Sequence, residues 1–412
     1  MRTNPTVWGR LGFSALITAL LATGLGGCIS GGSGIQAGER VDVYVSMPLH
    51  GQEAAEGRDI VDGARLALAD AGGKVGELAV RARYLDDTSG KGRQASWSGA
   101  VAAANARRAS QDSAAIAYIG DFDSGATRFS VPITNEAHIL QVSPAASAVD
   151  LVQPFLGAGD QVPEEVQPTG DRTFGRVIPS DEAQAQAGAA WAKRLGIESS
   201  RMVGDGSSFA SVMESSFGPR ARESGIDVRR GRLTPPRRVC GPSGSVGGSP
   251  GRFLGYYAGA RIPDREQLRC VTNGVAGASL MATDALLKGA GLRALAASPA
   301  LITSAAQDPA QLPPRGQRFL RAFRGRYRRE PGRYAAYGYE AMAVVLDSIR
   351  RAGGSGDDRD SVIDAFFDTV NRRSVLGTYS IDDVGDTTLD RLAGYRVVKG
   401  RPRVETALRA GE

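Results

Sequence analysis

Histidine and cysteine are nearly missing from this chain of 412 residues: there are only His50 and His138, and Cys28, Cys240 and Cys270. That scarcity restricts both metal centres and histidine-based catalysis. No HExxH, CxxC or P-loop pattern occurs, so the common metalloprotease, redox and nucleotide-binding templates are excluded. Lysine is also rare. Lys74, Lys91, Lys193, Lys288 and Lys399 are the only five, and arginine supplies the rest of the positive charge. The net charge is +6, but Asp and Glu are interspersed with Arg throughout. A nucleic-acid partner is therefore not expected, because it needs a basic stripe. The 54 glycines follow no three-residue period, which excludes collagen. Apart from the N-terminus no apolar run nears spanning length, which excludes a multi-span transporter. What is present is 42% apolar and 23% charged residues, an ordinary globular balance. The length allows two or three domains at roughly 100–200 residues each.

The N-terminus carries Arg2 and Arg10, then an apolar stretch over 11–25, then Leu25-Gly26-Gly27-Cys28. A basic start, an apolar core and small residues before the cut make a signal peptide over 1–27. The last four residues resemble the lipobox of bacterial lipoproteins, in which the cysteine is acylated and becomes the first mature residue; a plain secretory signal or an uncleaved anchor helix is the other reading. Cys28 is the expected lipidation site. Residues 28–40, rich in Gly and Ser, read as a flexible tether. The membrane is then reached through a lipid anchor only. Cys240 and Cys270 are left, outside the membrane, where disulfides persist. Their even count favours a pair across the Pro/Gly-rich segment 234–252; two buried thiols are the other reading.

From residue 41 strands and helices alternate. Strands are expected over 41–45, 78–84, 114–119 and 139–142, with helices over 57–71, 97–109 and 124–137 between them. A loop over 151–173 follows, with prolines 154, 163 and 168. The rhythm resumes with helices over 181–195 and 209–224 and strands beginning at 201 and over 226–233. Beyond the insertion, the pattern predicts a strand over 268–272, a helix over 279–290 and a strand over 300–303. Helices over 316–329 and 334–352 come next, then strands over 377–381 and 394–398. Such alternation makes an α/β fold of two Rossmann-like lobes with parallel sheets and a cleft between them.

Ligands in open α/β sheets bind at loops following strands. Three such loops stand out: 46–56, with His50; 120–127, where Ser124 begins a helix; and 143–147, where Ala145, Ala146 and Ser147 leave backbone N–H groups open. Helix starts and open N–H groups suit an anion; Ser124 as a plain helix cap is the simpler reading. Asp86, Asp87, Asp121 and Asp123 sit at strand ends and loops, where carboxylates are commonly solvated or capping, so no metal is expected. The letters G-x-S-x-G at 247–251 fall in the Pro/Gly loop without the strand and helix that a nucleophile elbow needs.

The segments Asp62-Gly63-Ala64-Arg65, Tyr84-Leu85-Asp86-Asp87, Tyr118-Ile119-Gly120 and Ser143-Pro144-Ala145-Ala146-Ser147 occur in a characteristic order. Arg172-Thr173-Phe174-Gly175-Arg176-Val177 and Ala336-Tyr337-Gly338-Tyr339-Glu340-Ala341 complete it. Together they resemble the type I periplasmic binding proteins, in the leucine/isoleucine/valine-binding branch of ABC importers. The resemblance implies an N-terminal lobe over 41–172 and 306–376, a C-terminal lobe over 173–305 and 377–400, a multi-strand hinge and a tail over 401–412. It implies that Ser124, Ala145 and Ser147 hold a ligand carboxylate and that Phe209 covers the ligand. Val275, Ala276 and Ser304 are placed on the second lobe's cleft loops. It implies no catalysis, no cofactor, and an ABC permease as partner. Glu56, with His50 nearby, replaces the usual first-loop aromatic, and Ser304 stands where an acid usually meets an ammonium. An amino acid, an amide or another small polar metabolite all fit, and so does sensing for a signalling partner in place of import.

Overall fold

The computed structural model describes residues 40–154, 165–232, 251–272, 275 and 277–411. All lie in one compact unit, Gly34–Glu412. Cys28, Cys240 and Ala276 fall outside the described residues, as do the signal segment, the tether up to residue 39 and most of the G-x-S-x-G stretch.

The first half of the chain runs β1 (Arg40–Met47), α1 (Ala54–Asp70), β2 (Lys74–Val75) and β3 (Leu78–Asp86). A small pair follows, β4 (Thr88–Ser89) and β5 (Ser96–Trp97), then α2 (Gly99–Ser110), β6 (Ala115–Ile119), α3 (Ser124–Glu136), β7 (Leu140–Ser143) and β8 (Phe174–Arg176). The first sheet has the order β2-β3-β1-β6-β7-β8, parallel except for β2. All five residues of β6 are buried, as a central strand covered on both faces requires.

The second sheet uses β9 (Ser199–Gly204), β10 (Asp227–Arg232), β11 (Phe253–Tyr257), β12 (Ser279–Thr283) and β13 (Ala300–Ser304). Helices α4 (Asp181–Arg194), α5 (Ser208–Glu223), α6 (Arg265–Val271) and α7 (Gly289–Ala294) accompany them. The chain then makes α8 (Pro314–Tyr327), α9 (Ala335–Ala352) and α10 (Arg359–Phe367), the small pair β14 (Arg372–Arg373) and β15 (Thr378–Tyr379), and finally β16 (Arg391–Val398) and β17 (Arg401–Arg409). The second sheet has the order β10-β9-β11-β12-β13-β16-β17, with β16 and β17 antiparallel. Two mostly parallel sheets with flanking helices confirm the α/β fold class.

Several local expectations are corrected. Residues 268–271 are not a strand but belong to α6, with Thr272 as its C-cap; the helix starts at a capping box, in which Asp264 accepts from the Gln267 N–H and the Gln267 side chain accepts from the Asp264 N–H. The strand of that region is β11, an all-buried run directly after the Pro/Gly-rich segment 234–252, paired with β9 and β12. The expected helix over 279–290 is instead β12 and a 3-10 turn (Asp284–Leu287), followed by α7. The expected tail is the edge strand β17. The lobe boundary moves as well. β8 pairs with β7, so the chain leaves the first sheet only after Arg176, not after residue 172. β15 stays with the first lobe, since the Tyr379 hydroxyl donates to the buried Glu340 of α9 (2.9 Å), which also takes Arg372 (2.6 Å).

Candidate functional site

Parallel strands end together, so their following loops collect on one side of each sheet. Here those loops enclose a cavity of about 380 Å³. The first lobe contributes Phe122, Asp123, Ser124 and Gly125 after β6, and Ala145, Ser147, Ala148 and Asp150 after β7. Arg333 and Tyr334, at the start of α9, complete that wall. The second lobe contributes Ser207, Ser208 and Phe209 after β9, Ala260 after β11, and Asp284, Ala285 and Lys288 after β12. Ile178, Asp181 and Ala305 lie where the chain crosses between the sheets.

Of the residues expected from sequence, Ser124, Ala145, Ser147 and Phe209 meet at this cavity. Ala146 is buried behind it, its N–H bonded to Ser143 Oγ at 2.8 Å. His50 is away from the cavity, its ring Nδ1 2.6 Å from Asp86 on an exposed edge. Glu56 borders a neighbouring surface hollow with Asp308 and Arg333. Val275 follows α6, on the far side of the sheet from the cleft loops, because the strand there was misplaced by one element; its N–H donates to the Thr272 carbonyl. Ser304 is fully buried under the wall and donates to Asp284 Oδ2 at 2.9 Å. Asp284, which lines the cavity, is thus the carboxylate that Ser304 supports from beneath. Cys270 is buried and disulfide-bonded. Among the described residues no set of three His, Cys, Asp or Glu side chains is arranged to hold a metal.

The expected open N–H groups are largely engaged within the loops. Gly125 N–H donates to Asp123 Oδ1 (2.7 Å), and those of Ala145 and Ala146 donate to Ser143 Oγ (3.2 and 2.8 Å). Ala148 N–H donates to Ser124 Oγ (3.2 Å), which leaves the Ser124 proton free to point into the cavity.

The electrostatics of the wall are uneven. Arg128 is bound by Asp150 at 2.5 Å, and Lys288 lies 3.3 Å from Glu53 and 5.6 Å from the Phe122 ring. Asp284 Oδ1 accepts from Gln184 at 3.2 Å. Asp181 is buried and its Oδ1 has no hydrogen-bond partner. Burial pushes its carboxyl up to about 6, against the Ser147 hydroxyl and Arg176, which favour the anion. Burial likewise raises Asp123. Arg333 stacks on Tyr334 at 5.1 Å, and Tyr334 meets Phe122 edge-on at 5.1 Å. Reading the sequence missed Asp181, Asp284, Lys288 and Arg333. Asp284 was hidden by the misread β12, and Arg333 carries no local signal beyond its place after Pro331-Gly332.

No family model matches the chain, and no curated protein matches it. Solved structures do. A leucine-binding protein from Thermotoga maritima is 22% identical, covers 90% of this chain and 99% of its own, with a TM-score of 0.64. An ABC-transporter substrate-binding protein from Desulfitobacterium hafniense, in complex with Leu, is 20% identical over 89% and 100%, with a TM-score of 0.67. A solute-binding protein from R. palustris in complex with benzoate is 16% identical over 89% and 96%, with a TM-score of 0.62. The chain therefore has the two-lobed type I periplasmic binding fold.

Proposed function

We propose that this protein is a lipid-anchored, extracytoplasmic solute-binding protein that delivers a small carboxylate-bearing solute to an ABC permease. The observation that carries the reading is the cavity itself: both lobes build it, it has the volume of a small-molecule site, and its wall bears charges of both signs. The structural neighbours bind an amino acid or a benzoate in the same fold. No helix among the described residues is long and apolar enough to cross a membrane; the anchor in this reading is Cys28, for the lipobox-like Leu25-Gly26-Gly27-Cys28. A thermal-shift screen of the mature protein against amino acids and benzoates tests the reading. A ligand at a hundredfold excess over its Kd adds about 2.7 kcal/mol of stability. Silence across both classes would overturn the assignment.

With the ligand so found, calorimetry should show that Ser124→Ala weakens binding roughly five- to tenfold, the loss of about 1–1.5 kcal/mol for one hydrogen bond. Phe209→Ala removes a ring of the second lobe from the wall and should weaken binding roughly thirtyfold, about 2 kcal/mol. Equal affinity in both variants would move the ligand elsewhere.

Cys28→Ser should abolish incorporation of labelled fatty acid and leave an unprocessed precursor. Continued labelling of the variant would remove Cys28 as the anchor.

A further inference from the structure

The cavity has two dissimilar ends. Around Ser124 and Ser147 stand the half-buried Asp123 and the buried Asp181, both lining the cavity. The cation of that end, Arg128, is held by Asp150, and most loop N–H groups are engaged internally. A carboxylate placed there meets like charge and few free donors. An ammonium there meets the partnerless Oδ1 of Asp181.

Arg333 is the reverse case. Its guanidinium lines the cavity and is partly buried. It stacks on Tyr334 but makes no hydrogen bond or ion pair among the described residues. Arg128 and Lys288 each have a carboxylate within 3.3 Å. Glu56 and Asp308, across the adjoining hollow, form no ion pair with Arg333. Asp308 instead accepts from the Tyr395 hydroxyl and the Ala310 N–H. An arginine cannot lose its proton, and it presents a fork of donors matched to a carboxylate. Asp284, itself committed to Ser304 and Gln184, and Glu56 favour its charge without bonding it, and an anionic ligand group would fill the unused donors of the fork.

We propose that Arg333 binds the acid group of the ligand, and that the ligand is a small zwitterion lying with its acid end at Arg333 and its ammonium end at Asp181 and Asp123. This rests on reading the cavity as a solute site, and it reverses the orientation implied by the family resemblance, in which the serine loops take the carboxylate. Tyr334 and Phe122, in edge-to-face contact, form the apolar wall between the two ends.

The test is calorimetry on the intact mature protein with the twenty standard amino acids and 4-aminobutyrate as probes, each positive also measured as its carboxamide. The parent should prefer acid over amide at least tenfold. In Arg333→Gln that preference should collapse toward one, with a ten- to hundredfold loss for the acid. Arg333→Lys, which keeps the charge but not the fork, should retain part of it and guards against a folding defect in the first variant. Ser124→Ala should keep the acid preference. If Arg333→Gln and Arg333→Lys both preserve the preference and Ser124→Ala destroys it, the acid sits at the serine loops. The proposal then falls while the solute-binding reading stands. Binding of benzoate alone, with no amino acid bound, also removes the zwitterion. Absence of binding to every one of these probes and to benzoate as well overturns both readings together.

Discussion

Gly338→Val is expected to prevent folding, and Gly338→Ala to cost about 3 kcal/mol or more. Helices α1 and α9 approach backbone to backbone. A Cβ on Gly338 would lie 2.2 Å from the Ile60 carbonyl oxygen and 2.5 Å from its Cα, and one on Gly63 would lie 2.0 Å from the Ala335 carbonyl oxygen. These obstacles are backbone atoms, so no side chain can swing aside, and relief requires the helices to separate. Separation would open the core between Ile60, Ala64, Ala341 and Val345, all fully buried. It would also shift the start of α9, where Arg333 and Tyr334 stand. The gain in helix propensity from Gly to Ala, about 1 kcal/mol, offsets only a part. Gly325 on α8 is the control. Nothing lies within 4 Å of its added Cβ, so Gly325→Ala should stabilise by up to about 1 kcal/mol. Urea midpoints compare the three variants. A Gly338→Ala midpoint equal to the parent's would show that the close approach does not constrain the fold.

Stability is also expected to fall as pH rises from about 4 to 8, by a mechanism centred on Asp87. This residue is fully buried and neither carboxylate oxygen has a partner. Burial, then the charge of Asp121, raises it from 3.8 to about 8. Burial raises Asp121 and Asp181 to about 6, although Asp121 accepts from Ser130 (2.6 Å) and Tyr118 (3.1 Å). In each case the folded state holds a proton that the unfolded chain releases near pH 4. The stabilisation is therefore complete below the unfolded value and is lost as pH climbs through 6 and then 8. Asp87→Asn keeps the shape and removes the titration. It should be nearly neutral at pH 5 and stabilising at pH 8, on the order of 2–4 kcal/mol. Denaturant titrations at both pH values check this. A parent whose stability is flat between them, or an Asn variant with no gain at pH 8, would remove Asp87 as the source.

Most of the first sheet was legible because its segments have clean periods. β1, β3 and β6 read as alternating or continuous apolar runs, and α1 shows an apolar face at helical spacing. The second sheet was legible only in part, for two local reasons. Residues 253–257 are apolar and aromatic but lie beside a Pro/Gly-rich stretch, whose breaker signal overrode them. Residues 279–283 run into an Ala/Leu-rich turn, and only pairing with β11 and β13 makes them a strand. Intrinsic preference is weak where burial on both faces decides.

The sequence by itself determined the α/β rhythm, the lipoprotein-like start and the loops of Ser124 and of Ala145 and Ser147 as neighbours at one site, while Phe209 was expected there from the family resemblance. The first three depend on neighbours a few residues away or on loops that follow well-marked strands. Only the tertiary structure decided the charge pattern of the cleft. Asp181, Asp284 and Arg333 are far apart in the chain and lie on three different elements, and no local pattern marks them. What makes them a site is burial and the allocation of partners. Arg128 and Lys288 found carboxylates and Arg333 did not, Ser304 turned to Asp284, and the loop N–H groups closed on their own turns. Such allocation is a competition among groups brought together by folding, and its outcome is not written in any segment alone.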